Sequence, residues 1–136
     1  MSPPPPTPVC RTFLVCKQIF RDDTTCEWTL VSPLDQIAAP EYPVRAYLSF
    51  FARWGNAHGS YRVEVRLRDP EGAVLWRHEM AQPLQASAPL RVVPLSLSRC
   101  RVRFPQPGRY EFVLLANGQE VAADVFLARR CAPDPA

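Results

Sequence analysis

The sequence predicts an all-β chain, and three observations carry that prediction. Apolar residues recur at every second position, compact turn motifs separate these alternating runs, and no segment keeps the period of an amphipathic helix. Strands of that kind bury their apolar faces only against one another. The expected architecture is therefore an antiparallel β-sandwich of about 8–9 strands with little helix.

The elements follow in chain order. Residues 2–8 hold five prolines and no apolar anchor, so 1–8 is expected to be an extended, disordered tail. Residues 9–20 are apolar on both faces in places, as in a strand covered on both sides. Asp22-Asp23 reads as the turn that follows. Cys26, Trp28 and Leu30 then alternate with Thr25, Glu27 and Thr29, a half-buried strand. Residues 32–43, with Pro33, Pro40 and Pro43, form the longest irregular connector, with one helical turn expected near 34–38. Residues 44–53 read as a second strand covered on both sides, and Gly55 and Gly59 bracket a loop over 54–60. Tyr61, Val63, Val65 and Leu67 alternate with Arg62, Glu64, Arg66 and Arg68, the clearest half-buried strand in the chain.

Asp69-Pro70-Glu71-Gly72 fits a type I turn, with Pro supplying the preset φ of the second position. Strands are expected over 73–80, 90–97 and 100–104, and Pro94 assigns its run to a sheet edge or a bulge. Pro105-Gln106-Pro107-Gly108 makes a corner. Beyond it Tyr110, Phe112 and Leu114 share one face. Asn117-Gly118 is the signature of a type I′ hairpin, because both central residues need positive φ. Val121, Ala123, Val125 and Leu127 are expected to share the inward face of the last strand, and 131–136 to form a short tail after a single domain over 9–130.

The corner at 107–112 narrows the fold. A Tyr two residues before a core position, at the start of a late strand, marks immunoglobulin-like domains, where its hydroxyl returns to upstream backbone. Tyr110 fits that role, and Phe112 takes the position that a disulfide cysteine holds in antibodies. The expected fold is an immunoglobulin-like antiparallel β-sandwich.

Composition bounds the rest. At 136 residues, 47% of them hydrophobic and 21% charged, the chain suits one folded domain. A net charge of +3 does not mark a polyanion binder by itself. No apolar run approaches the roughly 20 residues of a membrane helix. The amino terminus has neither a basic region nor the apolar core of a secretory signal. Five scattered cysteines, an odd number, read as reduced thiols, and the expected location is cytoplasmic.

Catalytic and metal chemistry find little footing. His58 lies in a loop and His78 in a strand, and nothing in their spacing brings them together. Cys16 or Cys100 as a nucleophile would need a cationic neighbour, but Arg99 and Arg101 point to the opposite strand face from Cys100. No Cys or His pair has zinc spacing, no histidine follows His78 to complete a copper site, and Asp22-Asp23 is the only acidic pair. No glycine-rich phosphate loop occurs. No catalytic residue, cofactor or metal is expected, and the chain is read as a non-enzyme.

Two sets of residues could form binding surfaces. Arg62, Arg66 and Arg68 share the wet face of one strand, and Arg99, Arg101 and Arg103 share a face of another. Adjoining, they would make an anion-binding surface for nucleic acid or another polyanion. Against this stand the interrupting Glu64 and the lack of an interleaved exposed aromatic, and Arg paired with Glu across a ladder is the plainer reading. Tyr47, Phe51, Trp54 and Trp76 would form a protein interface if they face outward, and core residues otherwise. Open strand edges add a second route to a protein partner or a homo-oligomer.

Several stretches resemble a known group when taken together. They are Cys26-Glu27-Trp28-Thr29-Leu30-Val31, the connector ending in Tyr42-Pro43, the 69–72 turn, and 103–112 with the Asn117-Gly118-Gln119-Glu120 hairpin. Their order and spacing across most of 9–130 resemble a group of short bacterial proteins known only as a domain-of-unknown-function family. The resemblance implies a small cytoplasmic immunoglobulin-like β-sandwich, with no reaction, substrate or catalytic residue attached. The expected function is a non-enzymatic interaction or accessory module that binds a protein partner or itself, with polyanion binding as the alternative.

Overall fold

A computed structural model describes residues 4–133. Residues 1–3 of the amino-terminal tail and 134–136 of the carboxyl-terminal tail lie outside them. The described residues are all strand, turn and coil, with no helix.

Two sheets share the core. The first has the order β2 (Trp28–Pro33), β1 (Val9–Arg21), β4 (Val44–Gly55), β9 (Val93–Phe104). The second runs β3 (Gln36–Ala39), β11 (Gln119–Arg130), β10 (Gly108–Ala116), β6 (Val63–Arg68), β7 (Val74–Glu79). A two-stranded piece joins β5 (Gly59–Tyr61) to β8 (Leu84–Ala86). All ladders are antiparallel except β3 with β11, which is parallel.

Aromatic rings join the sheets. Phe50 of β4 meets Phe112 of β10 edge-on at 4.9 Å, and Phe104 of β9 stacks on Phe126 of β11 at 5.7 Å. Phe112 and Phe126 touch at 5.1 Å within the second sheet. Such offset and edge contacts add about 0.5–1.5 kcal/mol per pair beyond the area they bury.

Most turns form as expected. Asp22 accepts from the amides of Thr24 and Thr25, and Asp69 from those of Glu71 and Ala73. Asn117 and Gly118 have φ of 50° and 82°, the left-handed pair of a type I′ hairpin. The run expected as one strand over 61–68 divides at Arg62, with Tyr61 ending β5 and β6 beginning at Val63, but its alternation holds: Tyr61, Val63, Val65 and Leu67 are buried. Pro94 lies on β9, an edge of the first sheet, where a missing amide costs no ladder bond on the outer side.

Other segments depart from the expected pattern. The helical turn near 34–38 is instead β3, which pairs with the distant β11 from Leu127 to Arg130. Cys26 is not a strand residue: it takes φ of 60° in the turn before β2. The inward face of β11 carries Phe126 and Ala128, whereas Leu127 is exposed, because a register shift opposite Leu114 and Leu115 changes the phase. The proline segment is not free throughout. Pro8 is buried, and Tyr61 donates its hydroxyl hydrogen to the Pro6 carbonyl at 2.7 Å.

The two strands expected over 90–97 and 100–104 are one continuous strand with a bulge. Leu95 and Leu97 face the core before it, and Cys100, Val102 and Phe104 after it, so the apolar phase shifts by one residue. Arg99 sits in the bulge with φ of 55°. The device that holds it is Ser49, the one buried polar side chain among the described residues. Its Oγ accepts from the Arg99 amide at 3.0 Å and donates to the Lys17 carbonyl at 3.4 Å.

Ser49→Ala is expected to lower stability by about 1–3 kcal/mol, the cost of leaving a part-buried amide without a partner. Urea unfolding reads this as a lower midpoint at an unchanged slope, and an unchanged midpoint would show that Ser49 does not hold the bulge.

Candidate basic face

The two arginine rows lie on different sheets. β6 belongs to the second and β9 to the first, and because the sheets pack core to core, their outer faces point apart. The rows do not adjoin, and no single six-arginine surface exists.

Two of the three arginines of the first row, Arg66 and Arg68 on β6, are neutralised. Arg66 bonds Glu64 at 2.9 Å, and Arg68 bridges Glu111 at 3.2 Å and Glu120 at 3.3 Å. Arg62 is exposed, and its backbone docks the Asn117 hairpin. This is the plain arrangement of arginines paired with glutamates on a wet sheet face.

The β9 row is different. Arg99, Arg101 and Arg103 are exposed, and two residues of β4 that sequence reasoning had not grouped with them complete the face. Arg45 stands directly opposite Arg103, and Tyr47 directly opposite Arg101. Tyr47 is 60% exposed. None of Arg45, Arg99, Arg101 and Arg103 is joined to a carboxylate among the described residues. The four strands of the first sheet carry eight basic and no acidic residues. Those of the second carry six basic against five acidic. The modest net charge of the chain thus conceals a strongly one-sided distribution.

A groove borders this face. β1 pairs with β4 only as far as Cys16–Ser49 and then leaves to pair with β2. The gap is a groove of about 460 Å³ lined by half-buried Val31, Leu34 and Ile37, with exposed Lys17, Tyr47 and Arg99 beside them.

Of the four aromatics expected at a protein interface, only Tyr47 is exposed. Phe51 is 6% exposed because Trp28, at the tip of the β1–β2 hairpin, packs on it at 5.4 Å. Trp54 is fully buried against Tyr61 at 5.7 Å, with its Nε1 lacking a hydrogen-bond partner among the described residues. Trp76, on β7, is half-buried between Phe50 and His78.

The thiols are poorly suited to nucleophilic work. Burial pushes the Cys100 thiol up to about 11 and raises those of Cys10 and Cys16. At neutral pH they stay protonated, and the thiolate is the reactive form. No group of three or more His, Cys, Asp or Glu side chains able to hold a metal ion occurs among the described residues.

The raised Cys100 value has a thermodynamic consequence. In the unfolded chain the thiol ionises near its ordinary value of 9.0, whereas in the native protein it does so near 11. Its contribution is therefore fully present below about pH 9 and is lost as pH rises toward about 11. Urea midpoints should fall across that window, and fall less in Cys100→Val. Equal losses in both proteins would contradict this role for Cys100.

Among solved structures, the chain is similar to the Pseudomonas fluorescens alkylpurine DNA glycosylase AlkC bound to DNA containing an abasic site analog, at 19% identity and a TM-score of 0.43. The likeness covers 70% of this chain and 28% of that one, so the chain spans a minor part of the glycosylase. So loose a likeness says nothing about function. No protein of curated function matches the sequence. A family profile does match, over residues 11–126, and the chain belongs to that family of unknown function (DUF6941).

Proposed function

We propose that the protein is a non-enzymatic, immunoglobulin-like module of the bacterial cytoplasm that binds a protein segment along the open edge of β7. The fold reading is supported by strand order. β1-β4-β9 matches the A-B-E order of one immunoglobulin sheet, and β11-β10-β6-β7 the G-F-C-C′ order of the other. Tyr110 supports it too, donating its hydroxyl hydrogen to the Gln106 carbonyl at the start of β10. The cytoplasmic reading rests on five free cysteines, two of them exposed, the state a reducing compartment maintains. Among the described residues no helix is long and apolar enough to cross a membrane.

The edge carries the binding reading. β7 and β9 end their sheets on the same side of the core, but the two edges are protected differently. β9 carries Pro94 and a row of arginines, both of which discourage strand addition. β7 has no proline and exposes Val74 and Leu75 beside half-buried Trp76. An edge with free backbone groups and outward apolar side chains is what an added strand requires. A partner strand supplies the missing hydrogen bonds and covers those side chains, and a second copy of the chain is one such partner.

The test compares affinity purification from native cells, under nuclease, for the wild type and a Val74→Asp/Leu75→Asp variant. Both positions are exposed, so the variant is expected to fold. Partners retained by the wild type and lost by the variant would bear out the β7 edge. Identical partner sets would exclude it.

A further inference from the structure

We infer that the outer face of β4 and β9 binds single-stranded nucleic acid, with its phosphates on the arginines and a base on Tyr47. This surface is distinct from the β7 edge. Three observations meet there.

The first is uncompensated charge. Like charges directly opposite in an antiparallel ladder are destabilising. Arg45 nonetheless faces Arg103, and no acidic residue lies on any strand of this sheet. The second sheet shows the ordinary solution, with each β6 arginine paired to glutamate. A face that forgoes such pairing is stabilised when an anion supplies it. Arg101 and Arg103 lie about 7 Å apart along the strand at ~3.3 Å per residue, with Arg99 in the bulge just before them, a row that suits a chain of phosphates better than one small ion.

The second is Tyr47. An aromatic 60% exposed, directly opposite Arg101 and two residues from Arg45, is the stacking platform that the arginine row lacked when read from sequence. Unpaired bases stack on such rings, and guanidinium groups hold the backbone beside them. Bases already stacked in a duplex have no free π-face to offer.

The third is the adjoining groove. Val31, Leu34 and Ile37 line an apolar cleft of about 460 Å³ that Lys17 and Arg99 also border. That volume lies within the range of small-ligand sites. It places an apolar wall and two cations within reach of the next nucleotide. Ser49 fixes the backbone under both cations, bonding the Arg99 amide and the Lys17 carbonyl.

Fluorescence anisotropy with a labelled oligothymidylate tests this, with unlabelled inorganic polyphosphate and the matching duplex as competitors. Binding is expected to weaken with salt at a log–log slope of roughly −3, from about −0.7 per phosphate over four contacts. Arg101→Glu/Arg103→Glu should abolish it. Tyr47→Ala should weaken the oligonucleotide about tenfold and leave polyphosphate competition unchanged. Thermal melts of these exposed-site variants confirm that each folds. No binding at low salt, or binding unaffected by the double reversal, overturns the inference. So does a duplex that competes as well as the single strand, or a Tyr47→Ala protein that binds as well as the wild type, since either leaves only a polyanion surface.

Discussion

The hydroxyl of Ser49 sets the geometry of the first sheet. β9 has to cover the core along its whole length, yet its apolar residues change phase between Leu97 and Cys100. Only an extra residue reconciles the two halves, and the bulge at Arg99 supplies it in a left-handed conformation that is costly for a non-glycine residue. The hydrogen bond from the Arg99 amide to Ser49 holds the bulge in place. Without the phase change, a strand continuing from Leu95 and Leu97 would turn Arg99, Arg101 and Arg103 into the core and Cys100, Val102 and Phe104 into water. One buried polar group therefore keeps the core continuous and the arginines outside. Its second bond, to the Lys17 carbonyl, lies where β1 leaves β4 and the groove opens.

The two sheets use their outer faces in opposite ways. On the second, Arg68 alone holds two glutamates, and the paired charges solvate the face. On the first, arginine meets arginine across the ladder and Tyr47 stands among them. The same asymmetry explains why net charge is a poor guide here: acidic residues on the second sheet and the loops offset a surplus concentrated on the first.

Much of the fold was legible in the sequence because period-two alternation and turn chemistry are local. The alternation over 61–68, the 69–72 turn, the Asn117-Gly118 hairpin and the Tyr110 corner depend on residues within a few positions of one another. What the sequence hid depends on pairing across distance. β3 forms only because β11 lies beside it, and residues 36–39 carry no strand signal of their own. The β9 bulge reads as a break between two strands, because a phase change and a chain break look alike without the partner strand. The candidate site was half legible. Arg99, Arg101 and Arg103 stood out by spacing, but Arg45 and Tyr47 joined them only through the β4–β9 register. Phe51 and Trp54 misled because alternation cannot say that Trp28 folds back over one and that the core takes the other.

A backbone-amide NMR titration of the intact protein with oligothymidylate tests the β4–β9 face most directly. Shifts are expected to concentrate at residues 45–48 and 99–103 and at Lys17, with the paired arginines of β6 unmoved. Shifts centred on β6 and β10, or spread evenly over both sheets, would contradict binding at that face.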